Sequence, residues 1–327
     1  MTDHSLSRRD FVAAGATGAA ALMLGERLPL PAPPMPERPL GRTGYRVRLF
    51  SLGGQATIEK PGTRDVSVAI VNRAIDLGVN YIDTAAAYGR GISQTYIGEV
   101  MATRRNEVFL TSKTHDRTRD GSLRLLEESL RLLKTDHLDL WQLHNVRTDQ
   151  DLDRIFGKDG ALEAQIAARD QKMARFLGIT GHFDPAVLMN GISRFDFDTI
   201  LMALNPADPH HLPFQLELLP LANGKQMGVI GMKIPARSRL FREGGITSMR
   251  DAMRYTLSLP VSTVVVGCDN VQQLEENVAI ARDFQPLSAA DKGKLEALTA
   301  GYAGEAAFFK RDAAGFGAPG RDDQETE

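Results

Sequence analysis

The sequence predicts an α/β protein of the (β/α)8 TIM-barrel class. Eight short apolar runs that are typical of strands alternate with longer stretches of helical periodicity, beginning near Arg46 and ending near Phe284. Such alternation indicates a parallel sheet with helical crossovers, and eight units in a segment of roughly 250 residues match a closed barrel. No G-x-G-x-x-G pattern follows the first run, so the fingerprint of the open dinucleotide-binding fold is missing.

The predicted strands are runs of mostly apolar residues, many of them β-branched or aromatic, and each precedes a helical stretch. Active sites of such barrels lie at the carboxyl ends of the strands, so the residues that follow these runs are the candidates for chemistry. In chain order, the predicted strands are residues 46–52, 79–82, 107–111, 138–143, 176–180, 197–203, 229–232 and 261–266.

The predicted helices carry apolar residues three or four positions apart. The clearest is 123–133, which has leucines on one face and Arg and Glu on the other. Ser288 is a typical N-cap and predicts one more helix, a C-terminal helical extension of the barrel. In chain order, the helices between strands are residues 66–77, 97–102, 123–133, 162–173, 185–192, 216–227, 249–257 and 271–284.

Composition and charge exclude several classes of function. The chain has 327 residues, of which 43% are hydrophobic, and a formal net charge of -2. It can therefore bury a large core, and it lacks the clustered basic excess of a nucleic-acid-binding protein. Cys268 is the single cysteine, which excludes an intrachain disulfide and a metal site of several thiolates. His210 and His211 are adjacent, without a partner cluster in the sequence, so no metal is predicted.

The N-terminal segment is predicted to lie outside the barrel. The paired Arg8 and Arg9 precede a weakly hydrophobic run over 13–24, which is shorter than the ~20 apolar residues of a membrane span. This arrangement resembles a twin-arginine export signal, which implies the export machinery as a partner and a periplasmic or otherwise exported protein. If the segment does not act as a signal, a cytoplasmic location is expected.

Proline and aromatic residues mark the predicted domain boundaries. A proline-rich stretch over 29–36 is typical of a stiff linker, so residues 1–36 are assigned to the signal-like segment and linker, and residues 37–300 to the barrel. Residues 301–327 form a C-terminal tail, which is expected to be disordered from Arg321 onward. The aromatic residues of this tail are expected to fold over the barrel mouth; they are Phe308, Phe309 and Phe316.

Four polar residues lie at or just past the ends of three consecutive predicted strands. Asp83 ends the second strand and Tyr88 follows it, Lys113 follows the third strand, and His144 follows the fourth. A carbonyl that accepts hydride develops negative charge on its oxygen and needs a proton donor. Tyrosine, with a pKa of ~10, donates poorly at neutral pH, and a nearby ammonium group lowers that pKa. We therefore predict that Lys113, held by Asp83, activates Tyr88. His144 is predicted to orient the carbonyl oxygen.

Several stretches of the sequence resemble the aldo-keto reductase family, in register and in order. The most specific, NYIDTAAAYG over 80–89, is similar to the family signature around an aspartate and a tyrosine. The resemblance implies an N-terminal β-hairpin that closes the barrel bottom, and reduction of aldehydes or ketones with NADPH. By that match, Tyr88 is the general acid. The other stretches are 38–44 for the hairpin, 122–144 for a helix and the strand before the histidine, 176–180 for the fifth strand, and 273–277 for a cofactor-binding helix.

The resemblance also implies a cofactor groove beside a substrate mouth. His182 is predicted to line the substrate mouth. Lys233 and Arg237 are predicted to hold the pyrophosphate, because cationic side chains bind phosphate oxygens well. The predicted cofactor-binding residues are Gly53, Gly54, Thr180, Lys233, Arg237, Gly267, Asp269, Asn270, Gln273, Glu276 and Asn277.

Asp269 leaves the choice of cofactor open. Many members of the family that the chain resembles have Arg, Lys or Ser here, and a carboxylate repels the 2′-phosphate of NADPH but suits a ribose hydroxyl. NADH is therefore an alternative to NADPH, unless Asp269 only caps the following helix. Three functions remain: a carbonyl reductase, an NAD-linked alcohol or sugar dehydrogenase, and a non-catalytic redox sensor or scaffold that binds cofactor. The sequence predicts a small-molecule carbonyl substrate and no membrane span, and assigns no oligomeric state.

Overall fold

The computed structural model describes residues 34–312, and residues 1–33 and 313–327 lie outside the described part. The predicted export signal therefore falls outside the described residues, as do Phe316 and the acidic end of the tail. The first side chain to pack into the core is that of Met35, which is 2% exposed. The packed fold thus begins slightly before the boundary predicted from the sequence.

Ten strands form a two-stranded hairpin and an eight-stranded barrel. The strands are β1 (Glu37–Pro39), β2 (Arg46–Arg48), β3 (Phe50–Gly53), β4 (Tyr81–Asp83), β5 (Phe109–Thr114), β6 (Leu138–Leu143), β7 (Ala174–Gly181), β8 (Thr199–Ala203), β9 (Gly228–Met232) and β10 (Thr263–Val266). β1 and β2 are antiparallel. The other eight are parallel and pair in chain order, and β3 closes the barrel by pairing with β10. The predicted (β/α)8 barrel is confirmed.

Helices surround the barrel, and α3 shows how the sequence determines their ends. In chain order, they are α1 (Arg64–Asp76), α2 (Ile92–Arg104), α3 (Arg119–Leu133), α4 (Asp149–Phe156), α5 (Ala161–Asp170), α6 (Pro185–Arg194), α7 (Leu218–Gly224), α8 (Met249–Leu257), α9 (Val271–Arg282), α10 (Ala289–Thr299) and α11 (Ala303–Ala306). The hydroxyl of Thr118 caps α3 by accepting from the N–H of Gly121 (3.2 Å), and Lys134 ends it in a left-handed conformation. None of the helices within residues 34–312 has the length and apolar character that a membrane crossing requires.

Two elements differ from the sequence prediction. The run 46–52, predicted as one strand, is divided into β2 and β3, because the chain passes from the hairpin into the barrel at Leu49. Helix α4 is not predicted by the sequence. It begins with a capping box, in which Thr148 and Asp151 each accept from the other's backbone N–H at 3.1 Å. Its 8 residues are too few for a clear helical period.

The hairpin of β1 and β2 closes the amino-terminal end of the barrel. Leu40, at the tip of this hairpin, is fully buried against inward-facing side chains of the strands. Gly41, next to it, has a φ of 53°, and a Cβ added there would lie 2.1 Å from the backbone nitrogen of Gly228. Glycine is therefore required at this position. Leu40 belongs to one buried cluster with Val47, Tyr81, Phe109, Leu140, Leu201 and Ile230.

The described part of the C-terminal tail packs against the barrel. Phe308 and Phe309 are buried after α11, and Lys310 is 3% exposed. The ammonium group of Lys310 donates to the carboxylate of Asp208 (2.5 Å) and to the carbonyl of His211 (2.7 Å). Since a buried ammonium group is costly unless it is paired, this ion pair fixes the position of the tail.

Candidate active site

The carboxyl ends of β4, β5 and β6 bring the predicted catalytic residues together. Asp83 is the last residue of β4, Lys113 lies one residue before the end of β5, and His144 directly follows β6. Tyr88 lies in the turn after β4. Lys113 Nζ is 2.5 Å from Asp83 Oδ2 and 3.2 Å from Tyr88 Oη, and the ring centroids of Tyr88 and His144 are 5.6 Å apart. The four residues form one cluster at the barrel mouth.

All three protons of the Lys113 ammonium group have acceptors. The group donates to the carboxylate of Asp83 (2.5 Å), to the carbonyl of Thr84 (2.8 Å) and to the oxygen of Tyr88 (3.2 Å). Lys113 is 1% exposed and Asp83 is 2% exposed, so water does not compete for these bonds. Because Tyr88 accepts from Lys113, its own proton remains available to a group in the mouth.

Asp83 is held from two neighbouring strands. Its Oδ1 accepts from the hydroxyl of Thr111 on β5 (2.9 Å) and from the amide of Gln142 on β6 (3.3 Å). These bonds satisfy a buried carboxylate and fix its position beneath Lys113. Burial lowers the pKa of Lys113 below its ordinary value, against the opposing effect of the Asp83 carboxylate.

The pKa of Tyr88 is shifted in the direction opposite to the sequence prediction. Burial raises it well above the ordinary value of 10, and the carboxylates of Asp83 and Glu59 add to this effect. The expected lowering by Lys113 is therefore wrong for this structure. The physical reason is that Tyr88 is buried, and the loss of hydration disfavours its charged phenolate more than the neighbouring positive groups stabilise it. Tyr88 keeps its proton at neutral pH, as a proton donor must.

The turn that presents Tyr88 depends on the glycine that follows it. Gly89 has a φ of 57°, and a Cβ added there would lie 2.1 Å from the carbonyl oxygen of Glu59. Arg90 and Gly91 are also left-handed, with φ of 52° and 91°. This tight turn carries Tyr88 from the end of β4 back over Lys113, whose Nζ lies 4.6 Å from the centre of the tyrosine ring.

His144 is uncharged at neutral pH. Burial lowers its pKa well below the ordinary value of 6.5, and the positive groups of Lys113 and Arg117 contribute in the same direction. Its backbone N–H donates to the carbonyl of Thr114 (2.8 Å), which fixes the residue at the end of β6. A neutral imidazole still has one N–H, and it can donate this proton to an oxygen in the mouth.

A groove of about 460 Å³ runs from Tyr88 past the ends of β3 and β10. Its floor has little room for side chains, because a Cβ added to Gly53 would lie 3.0 Å from the nitrogen of Gly267, and one added to Gly54 would lie 2.8 Å from the carbonyl oxygen of Asp83. A floor of bare backbone fits the close approach of a dinucleotide. The predicted cofactor residues that line this groove are Gly53, Gly54, Lys233, Arg237, Gly267, Asp269, Gln273, Glu276 and Asn277.

Two of the predicted cofactor residues do not line this groove. Asn270 is the N-cap of α9, and its side chain accepts from the N–H of Gln273 (2.9 Å). Thr180 lines the neighbouring cavity, and its hydroxyl accepts from the N–H of Asn145 (2.9 Å). Both side chains hold backbone groups of the protein. The capping role considered for Asp269 therefore belongs to Asn270.

Asp269 connects the two sides of the groove. The hydroxyl of Thr57 donates to its carboxylate (3.2 Å), and Lys60 Nζ lies 3.6 Å away. The Asp269 side chain is still 58% exposed, so it remains open to a ligand. Cys268 beside it is buried, and burial raises the pKa of its thiol to about 12. It is a packing residue rather than a reactive thiol.

A larger cavity of about 1050 Å³ lies on the other side of Tyr88 and His144. We call it the mouth cavity. His182 lines it, as predicted, and its Nδ1 donates to the carbonyl of Phe309 in the tail (3.4 Å). Lys233 and Arg237 reach both cavities. Tyr88 and His144 also line this cavity, so a molecule held in it would contact both side chains.

Sequence reasoning missed several charged residues at these cavities. Arg117 and Arg147 line the mouth cavity, and Glu59 lines the groove. The two arginines follow the ends of β5 and β6 by a few residues, so the rule that selects strand ends finds them when it is extended along each loop. Glu59 lies in the loop after β3 outside any motif, and no signal in the sequence singles it out.

The adjacent histidines hold the C-terminal part of the chain in place. His210 Nε2 donates to the carbonyl of Glu296 (2.8 Å), and His211 Nε2 donates to the carbonyl of Arg311 (2.6 Å). The part of the chain from 34 to 312 contains no group of three His, Cys, Asp or Glu side chains placed to hold a metal ion.

Comparison with known protein families agrees with this geometry. The model of the Aldo/keto reductase family matches residues 49–234, which is more than half of the chain. The chain belongs to this family. As an aldo/keto reductase it is an oxidoreductase, and its matched region contains Asp83, Tyr88, Lys113 and His144.

Two relatives and one solved structure are similar to this aldo/keto reductase over most of its length. The uncharacterized oxidoreductase YqkF of Bacillus subtilis is 26% identical over 294 residues, which cover 76% of this chain and 91% of YqkF. L-galactose dehydrogenase of Arabidopsis thaliana is 25% identical over 291 residues, covering 76% and 89%. A solved aldo-keto reductase from Klebsiella pneumoniae, in complex with NADPH, has a TM-score of 0.68 over 81% of this chain and 96% of that one, at 21% identity. This last likeness shows the fold alone.

Proposed function

We propose that this aldo/keto reductase reduces an aldehyde or ketone to an alcohol, with Tyr88 as the general acid. The observation that carries the proposal is the bond from Lys113 to the oxygen of Tyr88 (3.2 Å), which leaves the phenol proton for the mouth cavity. Burial keeps that proton in place at neutral pH, because it raises the pKa of Tyr88. His144 offers a second donor to the same carbonyl oxygen.

Each residue of the cluster has a separate task. A nicotinamide cofactor in the groove would supply hydride to the carbonyl carbon. Tyr88 and His144 hold the carbonyl oxygen by hydrogen bonds while negative charge develops on it. Tyr88 gives its proton to that oxygen, and Lys113 stabilises the phenolate that forms, because its ammonium group is already in hydrogen-bond contact. Asp83 keeps Lys113 charged in its buried position.

The cofactor is proposed to be NADH, with NADPH as the alternative that the family favours. The groove residues that lie away from the mouth cavity include the carboxylates of Asp269 and Glu276, whereas Lys233 and Arg237 lie where the two cavities meet. A 2′-phosphate near Asp269 would meet repulsion, and Lys60 is already engaged by that carboxylate (3.6 Å).

A Tyr88→Phe variant tests the general acid. Reduction of an aromatic aldehyde by the full-length protein is expected to fall in kcat by about 100-fold or more, with nucleotide affinity retained. Tyr45→Phe is the matched control, since the hydroxyl of Tyr45 donates to the carbonyl of Asn80 (2.8 Å) at the opposite end of the barrel. Binding of neither nucleotide, or equal turnover by Tyr88→Phe and the wild type, would refute the proposal.

Fluorescence titration with NADH and NADPH tests the cofactor proposal. The wild type is expected to bind NADH about ten-fold more tightly, and Asp269→Ser is expected to remove most of this preference, because the repulsive carboxylate is gone. Tighter binding of NADPH by the wild type would show that Lys60, rather than Asp269, dominates this end of the groove.

A second candidate is a dehydrogenase that oxidises an alcohol or a sugar with NAD. The carboxylates of Asp269 and Glu276 favour it, because acidic residues suit the ribose hydroxyls of NAD. The name of the Arabidopsis relative, L-galactose dehydrogenase, describes such a reaction for that protein. Comparing rates in both directions at equal substrate concentrations separates the two candidates. A non-catalytic sensor or scaffold is less well supported, since all four residues of the cluster are in place.

Export by the twin-arginine pathway is proposed from Arg8 and Arg9. Fractionation of a host that has this pathway is expected to find the wild type outside the cytoplasm and the Arg8→Lys, Arg9→Lys variant inside it. Equal distribution of the two proteins would instead support a cytoplasmic location.

A further inference from the structure

The two cavities beside Tyr88 differ in the sign of their charge. Six Lys and Arg side chains and only two Asp side chains line the mouth cavity. Two cationic and four acidic side chains line the groove. The positive residues that belong to the mouth cavity alone therefore act on whatever occupies the substrate side. Three of them are arginines that do not reach the groove: Arg117, Arg147 and Arg154.

Arg117 has a donor that the protein leaves unused. Its Nε donates to the carboxylate of Asp151 (3.1 Å), and its Nη2 donates to the carbonyl of Asn145 (3.1 Å). Its Nη1 is buried and has no hydrogen-bond partner. A buried guanidinium N–H without a partner is costly, so an acceptor from a ligand would complete the set.

Arg147 lies beside Arg117 and keeps its full charge. Its guanidinium group stacks on the ring of Phe183, 4.3 Å from the ring centre, and its backbone N–H donates to Asp151 (2.9 Å). Asp151 therefore fixes both arginines through one carboxylate. Within residues 34–312, Arg147 forms no salt bridge, in contrast to Arg117. Arg147 thus brings an uncompensated positive charge to the mouth cavity, and Arg117 has one buried donor without a partner.

The positive side chains of the mouth cavity also help to lower the pKa of two histidines that line it. Burial lowers the pKa of His144 well below its ordinary value, and Lys113, Arg117 and other positive neighbours lower it further. Burial lowers the pKa of His182 as well, with contributions from Lys233 and Arg147. A negatively charged ligand in this cavity would be stabilised by the groups that disfavour a charged histidine.

We propose that the substrate is a carbonyl compound that carries a carboxylate, and that Arg117 and Arg147 bind this carboxylate while Tyr88 holds the carbonyl oxygen. The inference rests on the proposed reductase function and names its substrate class. A guanidinium group presents two parallel N–H donors to a carboxylate. At this pair of arginines a singly charged group is the better match, because Asp151 already compensates Arg117 and leaves the charge of Arg147.

Two aldehydes of similar size test the substrate class. The full-length protein with its preferred nucleotide is given 4-carboxybenzaldehyde and its neutral ester, methyl 4-formylbenzoate. We expect kcat/KM for the carboxylate to exceed that for the ester by about ten-fold or more, since a hydrogen bond to a charged group is stronger than one to a neutral group. Arg147→Gln is expected to reduce this ratio by about ten-fold.

Arg194→Gln is the matched control. Arg194 stacks on Phe156 in the same way, 4.4 Å from the ring centre, but it lines neither cavity. This variant is expected to retain the wild-type ratio. A second readout does not need turnover or a folded variant: calorimetry of the wild type with benzoate and with benzamide, where tighter binding of benzoate is expected.

The outcomes separate this inference from the function on which it rests. Equal kcat/KM for the two aldehydes, with turnover that still requires Tyr88, would overturn the carboxylate substrate and leave the reductase intact. Equal affinity for benzoate and benzamide would overturn it as well. Turnover of neither aldehyde with either nucleotide would overturn the reductase, and the substrate class with it.

Discussion

At the scale of single residues, Lys113 links a buried carboxylate of the barrel to the proposed proton donor, Tyr88. Its ammonium group is buried and bonded to Asp83, Thr84 and Tyr88. A buried lysine with fewer acceptors would tend to lose its proton, so Asp83 is what keeps it charged. Burial of the phenol determines the direction in which the pKa of Tyr88 is shifted.

The dependence of the reaction on pH follows from these shifts. The lowered pKa of His144 keeps the ring uncharged as pH falls through the ordinary histidine value of ~6.5, and the raised pKa of Tyr88 keeps its proton as pH rises towards ~10. We therefore expect kcat for carbonyl reduction to be level across this interval. The measurement is a pH profile at saturating aldehyde and nucleotide.

Two results would contradict this expectation. Loss of kcat with an alkaline midpoint well below the ordinary tyrosine value would show that Lys113 lowers the pKa of Tyr88, as the sequence alone suggests. Loss on the acid side near the ordinary histidine value, removed in His144→Asn, would show that the histidine is not shielded.

The residues of the catalytic cluster could be predicted because each ends or follows a strand, and a barrel brings strand ends together. The hydrogen bonds that engage each side chain could not be predicted in the same way. Asn270 follows the last strand as expected, but its amide caps α9. Arg117 and Arg147 were missed because their charge faces the cavity only through loop conformations that no local pattern fixes.

At the scale of secondary structure elements, the hairpin of β1 and β2 contains two glycines that are left-handed for different reasons. Gly41 has a φ of 53° and sits against the backbone of Gly228, whereas Gly44 has a φ of 77° and has no atom within 4 Å of an added Cβ. The first is constrained by conformation and by space, and the second by conformation alone.

Alanine at these two positions separates the two constraints. Gly44→Ala is expected to destabilise the protein by about 1–2 kcal/mol, the cost of a left-handed residue with a Cβ. Gly41→Ala adds a contact with backbone, which brings a further cost of about 1–3 kcal/mol. Thermal unfolding of the two variants measures the difference. Equal shifts in Tm would show that the hairpin moves to accommodate the methyl group at position 41 without a further loss of stability.

Elements with a long period were predicted well, and short elements were not. The stretch 123–133 lies within α3, because its leucine face buries Leu126, Leu130 and Leu133. The prediction of residues 46–52 as a single strand was wrong. The apolar residues of this run continue from the hairpin into the barrel, so the pattern of hydrophobic residues does not indicate the change of direction at Leu49.

At the scale of the whole molecule, the barrel separates chemistry from stability along its axis. Asp83, at the carboxyl end, holds Lys113 beside the proposed proton donor. Asp139, near the amino end of β6, holds Arg105 (2.8 Å) and Arg175 (2.9 Å). Both carboxylates are nearly fully buried, and only the first touches the reacting groups.

Replacing each carboxylate by an amide tests this separation. Asp83→Asn is expected to lower kcat by about 100-fold or more, because Lys113 loses its counter-charge and Tyr88 its positioning. Asp139→Asn is expected to lower Tm while kcat stays within about two-fold of the wild type, since it breaks a buried ion pair far from the barrel mouth. A large loss of kcat in Asp139→Asn would show that the two ends are coupled.

The barrel class itself was predictable because it depends on repetition, and eight repeats average out the errors made at single boundaries. The arrangement of the tail was harder to predict from the sequence. The ion pair of Lys310 with Asp208 joins positions 102 residues apart. A periodic pattern of apolar residues gives no information on such a contact.

The described part of the tail packs Phe309 against His182 at the mouth cavity, and within residues 301–312 it contributes none of the four residues of the cluster. Substitutions there can move one wall of the cavity and leave the proton donor unchanged. Selection for a new substrate could therefore act on a short stretch near the end of the chain, anchored by one buried lysine, without revising the chemistry. The proposed reaction and this wall of the cavity belong to different parts of the molecule, and they can evolve at different rates.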